Sequence, residues 1–150
     1  GLAADLARQT LEECGIENAL IDAGEFNAIG SPEQRDSWHI GVQHPRQLGC
    51  IAKTGLQGRC LSTSGDYASK FSDDYCHHHL LDPRTGLSPV KLSAVSVAAP
   101  TALEADSLST ALFVLGPEKA KEMVGPMDLV DALFVSKSGD IAATDGFPLV

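Results

Sequence analysis

The stretch that decides the fold runs from Lys91 to Glu104 and reads KLSAVSVAAPTALE. Apolar and polar residues alternate up to residue 99, as they do along a β-strand, and Pro100 ends the strand because it cannot donate a ladder hydrogen bond. Thr101 and Glu104 then form a capping box, in which a hydroxyl and a carboxylate each satisfy a free backbone N–H at the start of a helix. The stretch therefore predicts a strand followed at once by a helix.

The predicted helix ends at Gly116-Pro117 and has two distinct faces. At about 100° per residue, Asp106 and Thr110 lie about 40° apart on one side. The opposite side carries three leucines, Leu108, Leu112 and Leu115. We expect the leucines to face a core and the polar pair to face elsewhere.

The rest of the chain contains a mixture of short strand and helix patterns. They predict helices over 2–14 and 118–124, strands over 18–24, 26–30 and 38–43, a strand pair over 50–54 and 57–62, a turn over 63–67, and a hairpin over 131–136 and 140–144. Because strict βαβ alternation is lacking, the sequence favours an α+β fold with a mixed, mainly antiparallel sheet and packed helices.

Composition limits the classes of function. The 150 residues, 43% of them hydrophobic, are enough for a single domain with one core. The formal net charge of −9 has the wrong sign for binding nucleic acid or anionic lipid. No membrane-spanning run or signal peptide is visible. The four cysteines follow no zinc-finger or disulfide-scaffold spacing, so their disulfide state stays open.

The segment from Cys76 to Gly86, CHHHLLDPRTG, concentrates imidazoles, a carboxylate and a guanidinium at a turn. In an extended segment His77 and His79 share a face, and either could accept a proton near neutral pH or bind a soft metal beside Cys76. Either could equally be a solvated or core histidine. Arg84 could bind a phosphate or simply pair with a nearby acid.

Two further patterns have both a functional and a structural interpretation. Asp106 and Thr110 could direct a carboxylate and a hydroxyl at one Mg²⁺ ion, or Thr110 could bond back to the carbonyl of residue 106. The turn over 63–67 could offer N–H groups and hydroxyls to a ligand, or merely end a strand.

Taken together, these patterns resemble the ApbE family, the FAD:protein FMN transferases, whose motifs are T-S-G-x-Y, H-x-x-D-P-x-T-G and A-D-x-x-x-T-A. The chain has TSGDY at 63–67, HLLDPRTG at 79–86 and ADSLSTA at 105–111, in that order. Residues 1–5, GLAAD, are similar to the family's K-G-Y-A-x-D segment without its lysine. The resemblance implies a T-fold-type domain of which residues 1–150 are the C-terminal part, with the N-terminal half absent.

The resemblance also implies roles for individual residues. Asp106 and Thr110 would bind Mg²⁺, with Ser109 as a weak ligand at most, and His79 would be the catalytic base. The residues expected to contact or shape the pocket of the substrate FAD are Thr63, Ser64, Gly65, Asp66, Tyr67, Leu81 and Arg84. Further FAD contacts and a backbone metal ligand are expected in the N-terminal half, so we expect the isolated chain to bind the metal weakly and to be inactive on its own.

The activity implied is Mg²⁺-dependent transfer of FMN from FAD to a Ser or Thr hydroxyl of an acceptor flavoprotein, such as a redox-pump subunit, with release of AMP. Two alternatives remain open at this point. Water could replace the acceptor, which would make an FAD pyrophosphatase, or the chain could belong to a non-catalytic flavin-binding or assembly protein. The family also implies a cell-envelope location, on the periplasmic or outer face of the inner membrane, with any lipid anchor outside these residues.

Overall fold

The computed structural model describes residues 1–150, and its central element is a six-stranded antiparallel sheet. The strands are β1 (Ala19–Asp22), β2 (Phe26–Ile29), β3 (Trp38–Gln43), β4 (Cys50–Leu56), β5 (Cys60–Gly65), β6 (Leu92–Ala99), β7 (Asp131–Ser136) and β8 (Ile141–Ala143). The order in the large sheet is β1-β2-β5-β6-β7-β8, and β3 pairs with β4 in a separate hairpin. The expected α+β class is confirmed.

Three helices cover one face of the large sheet: α1 (Leu2–Glu13), α2 (Ala102–Leu115) and α3 (Pro117–Val124). The β3–β4 hairpin covers the other face. Because β6 lies between the two layers, all eight of its residues are buried, and its alternate side chains enter two separate cores. None of the helices has the length and apolar character needed to cross a bilayer.

One predicted strand pairing is wrong. Strands β4 and β5 follow each other in sequence, but β4 pairs with β3 and β5 pairs with β2 and β6. Gly58, with φ of 65°, lies in the connection where the chain passes from the hairpin to the large sheet. The sequence pattern indicated that both segments are strands. Because both have apolar residues to bury, the pattern did not show which strand pairs with which.

Helix α2 begins where the capping box predicts, but the Glu104 carboxylate binds the Thr101 hydroxyl and not the backbone N–H expected for it. Thr101 has extended backbone geometry, and its hydroxyl accepts a hydrogen bond from the Glu104 N–H at 3.1 Å. The hydroxyl also donates to the Glu104 carboxylate, at 2.9 Å. Leu112 is fully buried, and Leu108 and Leu115 pack half-buried against the same core. The apolar face of α2 was thus predicted correctly.

A second carboxylate, Asp5 of α1, caps the same helix from outside. Its two oxygens accept hydrogen bonds from the backbone N–H groups of Ala102 and Leu103, at 2.8 and 2.9 Å. The Asn27 amide donates to Asp5 at 3.0 Å. A Cβ atom at Gly1 would lie 2.6 Å from the Leu103 Cα, so only glycine permits this close approach of α1. Asp5 therefore fixes where α2 starts.

We expect Asp5→Ala to lower the free energy of unfolding by about 1–3 kcal/mol, because three donors lose their acceptor and two of them are helix N-terminal amides. Urea denaturation followed by circular dichroism measures the change. Asp22→Ala is the control, since Asp22 accepts only one exposed hydrogen bond, from Gly24. Equal losses in the two variants would contradict the capping role of Asp5.

Candidate functional site

A cluster of three hydroxyls joins the end of β5 to the middle of α2. The Ser64 Oγ lies 2.8 Å from the Ser109 Oγ and 2.9 Å from the Thr110 Oγ1. Ser109 is fully buried, whereas Ser64 and Thr110 are half-buried. Two motifs that lie more than forty residues apart in sequence therefore meet in one place.

Asp106 lies one turn before Thr110 on α2, and its side chain is 45% exposed. The back-bonding expected as the structural alternative is made by a different residue, because it is the Ser109 hydroxyl that donates to the Asp106 carbonyl, at 2.9 Å. Thr110 instead turns its hydroxyl toward Ser64.

The atoms that could bind a metal here are all oxygens, and their chemistry suits a small hard cation such as Mg²⁺. An exposed carboxylate and a half-buried hydroxyl one helical turn apart can supply two ligands of an octahedral ion that keeps several waters or substrate oxygens. Ser109 has no such access, because it is fully buried and its hydroxyl already makes two internal hydrogen bonds. No three His, Cys, Asp or Glu side chains come together as a metal cluster, so nothing supports the soft-metal alternative beside Cys76.

The three histidines alternate as an extended segment requires. His78 is fully buried, packs edge-on against Phe113 with ring centroids 5.5 Å apart, and has Nε2 3.0 Å from the Pro89 carbonyl oxygen. Burial lowers the pKa of His78. His77 and His79 are exposed. Because His78 packs on Phe113, one turn beyond Thr110, the histidine segment is held against α2.

His79 is oriented by the backbone of the chain segment that precedes it. The backbone N–H of His79 donates to the Ser69 carbonyl at 3.0 Å, and the ring Nδ1 lies 3.4 Å from the same oxygen. A carbonyl oxygen only accepts hydrogen bonds, so the contact favours a proton on Nδ1 and leaves Nε2 as an acceptor. The side chain is thus suited to take up a proton.

The two charged side chains of the Asp82–Gly86 turn pair with each other. Arg84 donates from Nε and Nη2 to the two Asp82 oxygens, at 2.8 and 2.7 Å, and this pairing lowers the pKa of Asp82 to about 2. Gly86 closes the turn with φ of 72°. Arg84 was predicted to contact flavin nucleotide, but here it makes the alternative pair with Asp82. Leu81, beside the turn, is 54% exposed.

The segment 63–67 was predicted as a turn, but Thr63, Ser64 and Gly65 form the last part of β5. Ladder bonds to β6 continue to Gly65 because Val95 and Ala94 still offer partners there. A Cβ atom at Gly65 would lie 2.3 Å from the Tyr67 ring, so glycine lets the ring fold back onto the strand. Burial, and next the Asp66 charge, raise the pKa of Tyr67.

Thr63 and Tyr67 line a cavity of about 290 Å³ between the large sheet and the β3–β4 hairpin. Gly24 and Gly41 are also part of its wall, where side chains would fill the space. The Thr63 hydroxyl is paired with the Ser96 hydroxyl at 2.8 Å. These two residues of the motif therefore border open space, as a residue that shapes a ligand pocket must.

Asp66 makes a different set of contacts from the one expected. It is fully buried, and Arg46 binds both of its oxygens, at 2.7 Å each. Lys137 donates to the same carboxylate at 2.6 Å. The hydrogen bonds that Arg46 donates to Asp66 raise the pKa of Arg46. A carboxylate so enclosed shapes the site through the segments it joins.

Comparison with known proteins identifies the family. The model of the ApbE family matches residues 1–134. The chain belongs to the ApbE family. The FAD:protein FMN transferase of Escherichia coli K12 is 38% identical over 146 residues, covering 93% of this chain and 41% of that protein. The transferase of Treponema pallidum is 33% identical, covering 97% of this chain and 44% of that protein.

Solved ApbE structures have the same fold. The crystal structure of the Thermotoga maritima ApbE protein aligns with a TM-score of 0.87 at 32% identity, over 97% of this chain and 48% of that one. The apo flavinyl transferase ApbE of Pseudomonas stutzeri aligns with a TM-score of 0.76 at 35% identity, over 95% of this chain and 46% of that one. The chain thus spans less than half the length of these ApbE proteins.

Arg46 and Lys137 are the site residues that sequence reasoning missed. Lys137 also donates to the Tyr75 carbonyl at 2.6 Å, and the Arg46 guanidinium lies 3.8 Å from the centroid of the Tyr75 ring. Asp66, Arg46 and Lys137 therefore anchor the loop over 67–79 that leads to His79. An isolated arginine and lysine in ordinary loops gave no local signal of this contact.

We expect Asp66→Asn to lower the free energy of unfolding by about 2–4 kcal/mol, because it leaves Arg46 and Lys137 side by side without their shared counter-charge. Asp73→Asn is the matched control, since its pair with Lys70 is exposed and should contribute little. Chemical denaturation of both variants gives the difference. A loss no larger than that of the control would show that the buried cluster is not stabilising.

The Asp82–Arg84 pair should also respond to pH. Its stabilisation is complete above the ordinary carboxyl pKa of about 4 and is lost as the pH falls toward 2, because the folded-state pKa of Asp82 is lowered to about 2. Carboxyl-carbon NMR titration should show that the pKa of Asp82 rises toward its ordinary value in Arg84→Gln and is unchanged in Arg35→Gln. An unaltered Asp82 titration in Arg84→Gln would contradict the pairing.

Proposed function

We propose that the protein carrying this chain transfers FMN from FAD to a Ser or Thr hydroxyl of an acceptor flavoprotein, with Mg²⁺ bound and AMP released. Support comes first from the relatives, which are named FAD:protein FMN transferase and are up to 38% identical over nearly the whole of this chain. It comes next from the three motifs, which carry the residue types that phosphoryl transfer requires.

The observation that carries the proposal is the contact between Ser64 and Thr110, at 2.9 Å. It brings the T-S-G-D-Y motif against the A-D-x-x-x-T-A motif and orients a hydroxyl beside the exposed Asp106 carboxylate. Such a set of oxygen ligands is of little use to the core of a domain. It is what a phosphate-bound divalent cation needs.

Asp106 and Thr110 would hold the Mg²⁺ ion together with oxygens of the FAD pyrophosphate. When bound, Mg²⁺ neutralises charge on the phosphates and polarises the phosphorus that is attacked. The chain itself positions both ligands on one rigid helix, whose start is fixed by Thr101 and Asp5. Fixed ligands lower the entropic cost of reaching the reactive geometry.

His79 would take the proton from the attacking hydroxyl of the acceptor. Its Nε2 is left free to accept, and its exposed ring can be reached by a side chain of another protein. The P–O bond between the FMN phosphorus and the bridging oxygen breaks as the new P–O bond to the acceptor forms, and AMP leaves with the bridging oxygen. We propose the cell envelope as the location, on the family resemblance alone.

In the complete protein, Asp106→Ala and His79→Ala should suppress covalent flavinylation of an acceptor domain incubated with FAD and Mg²⁺. We expect a loss of about 10²- to 10⁴-fold for His79→Ala, the usual contribution of a general base. Mass spectrometry of the acceptor measures the product. His77→Ala is the matched control, because its ring is also exposed but faces Ser72 instead.

The products distinguish the alternatives. FMN and AMP formed without an acceptor would identify an FAD pyrophosphatase. Tight FAD binding with no product at all would identify a binding or assembly protein. A wild-type protein that leaves the acceptor unmodified while FAD stays intact would contradict the transferase proposal.

A further inference from the structure

The hydroxyls of Ser64, Ser109 and Thr110 have three protons for three hydrogen bonds. This count fixes which hydroxyl donates and which accepts in each contact. Each hydroxyl carries one proton and two lone pairs. Ser109 must donate its proton to the Asp106 carbonyl, because a carbonyl oxygen can only accept. The contact between Ser64 and Ser109 then needs the Ser64 proton. The contact between Thr110 and Ser64 in turn needs the Thr110 proton.

The direction of the whole chain follows from this count. It runs from Thr110 to Ser64, from Ser64 to Ser109, and from Ser109 to the backbone carbonyl of Asp106. Thr110 is left with its proton occupied and both lone pairs free. A hydroxyl that binds a cation needs this state, because its proton must point away from the positive charge.

We infer that Ser64 and Ser109 are positioning residues that hold the Thr110 hydroxyl with its lone pairs available to a divalent cation. The inference rests on the metal site of the proposed function and deepens it. Ser109 acts here through Ser64, since the fully buried Ser109 side chain cannot itself reach a hydrated ion. Neither serine touches the metal.

Removal of the Ser109 hydroxyl should reverse the direction of the chain. Ser64 then has no acceptor in Ser109, and its proton can turn to Thr110. One lone pair of Thr110 is consumed and its own proton is released toward the cation. In Ser64→Ala the Thr110 hydroxyl loses its partner altogether, and the side chain can leave the rotamer that directs this hydroxyl toward β5.

The test uses the complete protein and Mn²⁺ alone, an ion that accepts the same oxygen ligands and is counted in solution by electron paramagnetic resonance. We expect Ser109→Ala and Ser64→Ala to weaken Mn²⁺ binding about threefold to tenfold, the effect of one lost hydrogen bond. Ser64→Thr, which keeps the hydroxyl, should restore the affinity.

Ser96→Ala is the matched control. Ser96 is also fully buried on the strand next to Ser64, and its hydroxyl also pairs with a residue of β5, namely Thr63, at 2.8 Å. It has no link to Thr110, so Mn²⁺ affinity should stay within about twofold of the wild type. Two results would overturn the inference. One is an equal loss of Mn²⁺ affinity in Ser96→Ala and Ser109→Ala, and the other is an unchanged Mn²⁺ affinity in both Ser64→Ala and Ser109→Ala.

A measurement without metal separates this inference from the proposed function. NMR couplings of the ¹³C-labelled threonine methyl group report the Thr110 side-chain rotamer, which should change in Ser64→Ala and stay as in the wild type in Ser96→Ala. If the wild-type protein binds no Mn²⁺ the metal part of the proposed function fails, and the NMR result then decides alone. An unchanged Thr110 rotamer in Ser64→Ala would overturn the inference whatever the metal does.

Discussion

Burial of β6 on both faces is the constraint from which the remaining structure follows. One side of the strand packs against the helices and the other against the β3–β4 hairpin, so it joins two cores. One of its two neighbours in the sheet is β5, and its continuation in sequence is α2, which folds back over both β5 and β6. A residue near the end of β5 and a residue in the middle of α2 therefore have to meet. The pair that meets is Ser64 and Thr110.

The sequence predicted what depends on near neighbours along the chain. The α2 capping box, its leucine face, the alternation of the histidines and the terminal β7–β8 hairpin each depend on residues a few positions apart, where periodicity and side-chain chemistry are informative. Strand pairing depends on partners elsewhere, and the wrong pairing of β4 with β5 is the result. The neighbours of Asp66 are more distant still, at separations of 20 and 71 residues.

The candidate site shows the same division. Three short motifs indicated the chemistry, yet a motif lists residues without saying which of them face a ligand. Asp66 and Ser109 lie inside their motifs but are buried and internally bonded, and Arg84 is paired with its neighbour Asp82. Asp106, Thr110 and His79 remain accessible. Burial thus separates the residues that could react from those that support them, and burial is a property of the whole fold.

The chain of hydroxyls ends on the carbonyl of residue 106, which belongs to the main chain of α2. Every amino acid supplies that carbonyl, so the last acceptor in the chain is secured against substitution as long as the helix forms. Through the hydroxyls of Ser64 and Ser109, this backbone acceptor sets the orientation of the half-buried Thr110 hydroxyl. The three hydroxyls are chemically alike, yet their hydrogen bonds run in one direction, from Thr110 to the backbone. That direction is set by the peptide carbonyl, which can only accept.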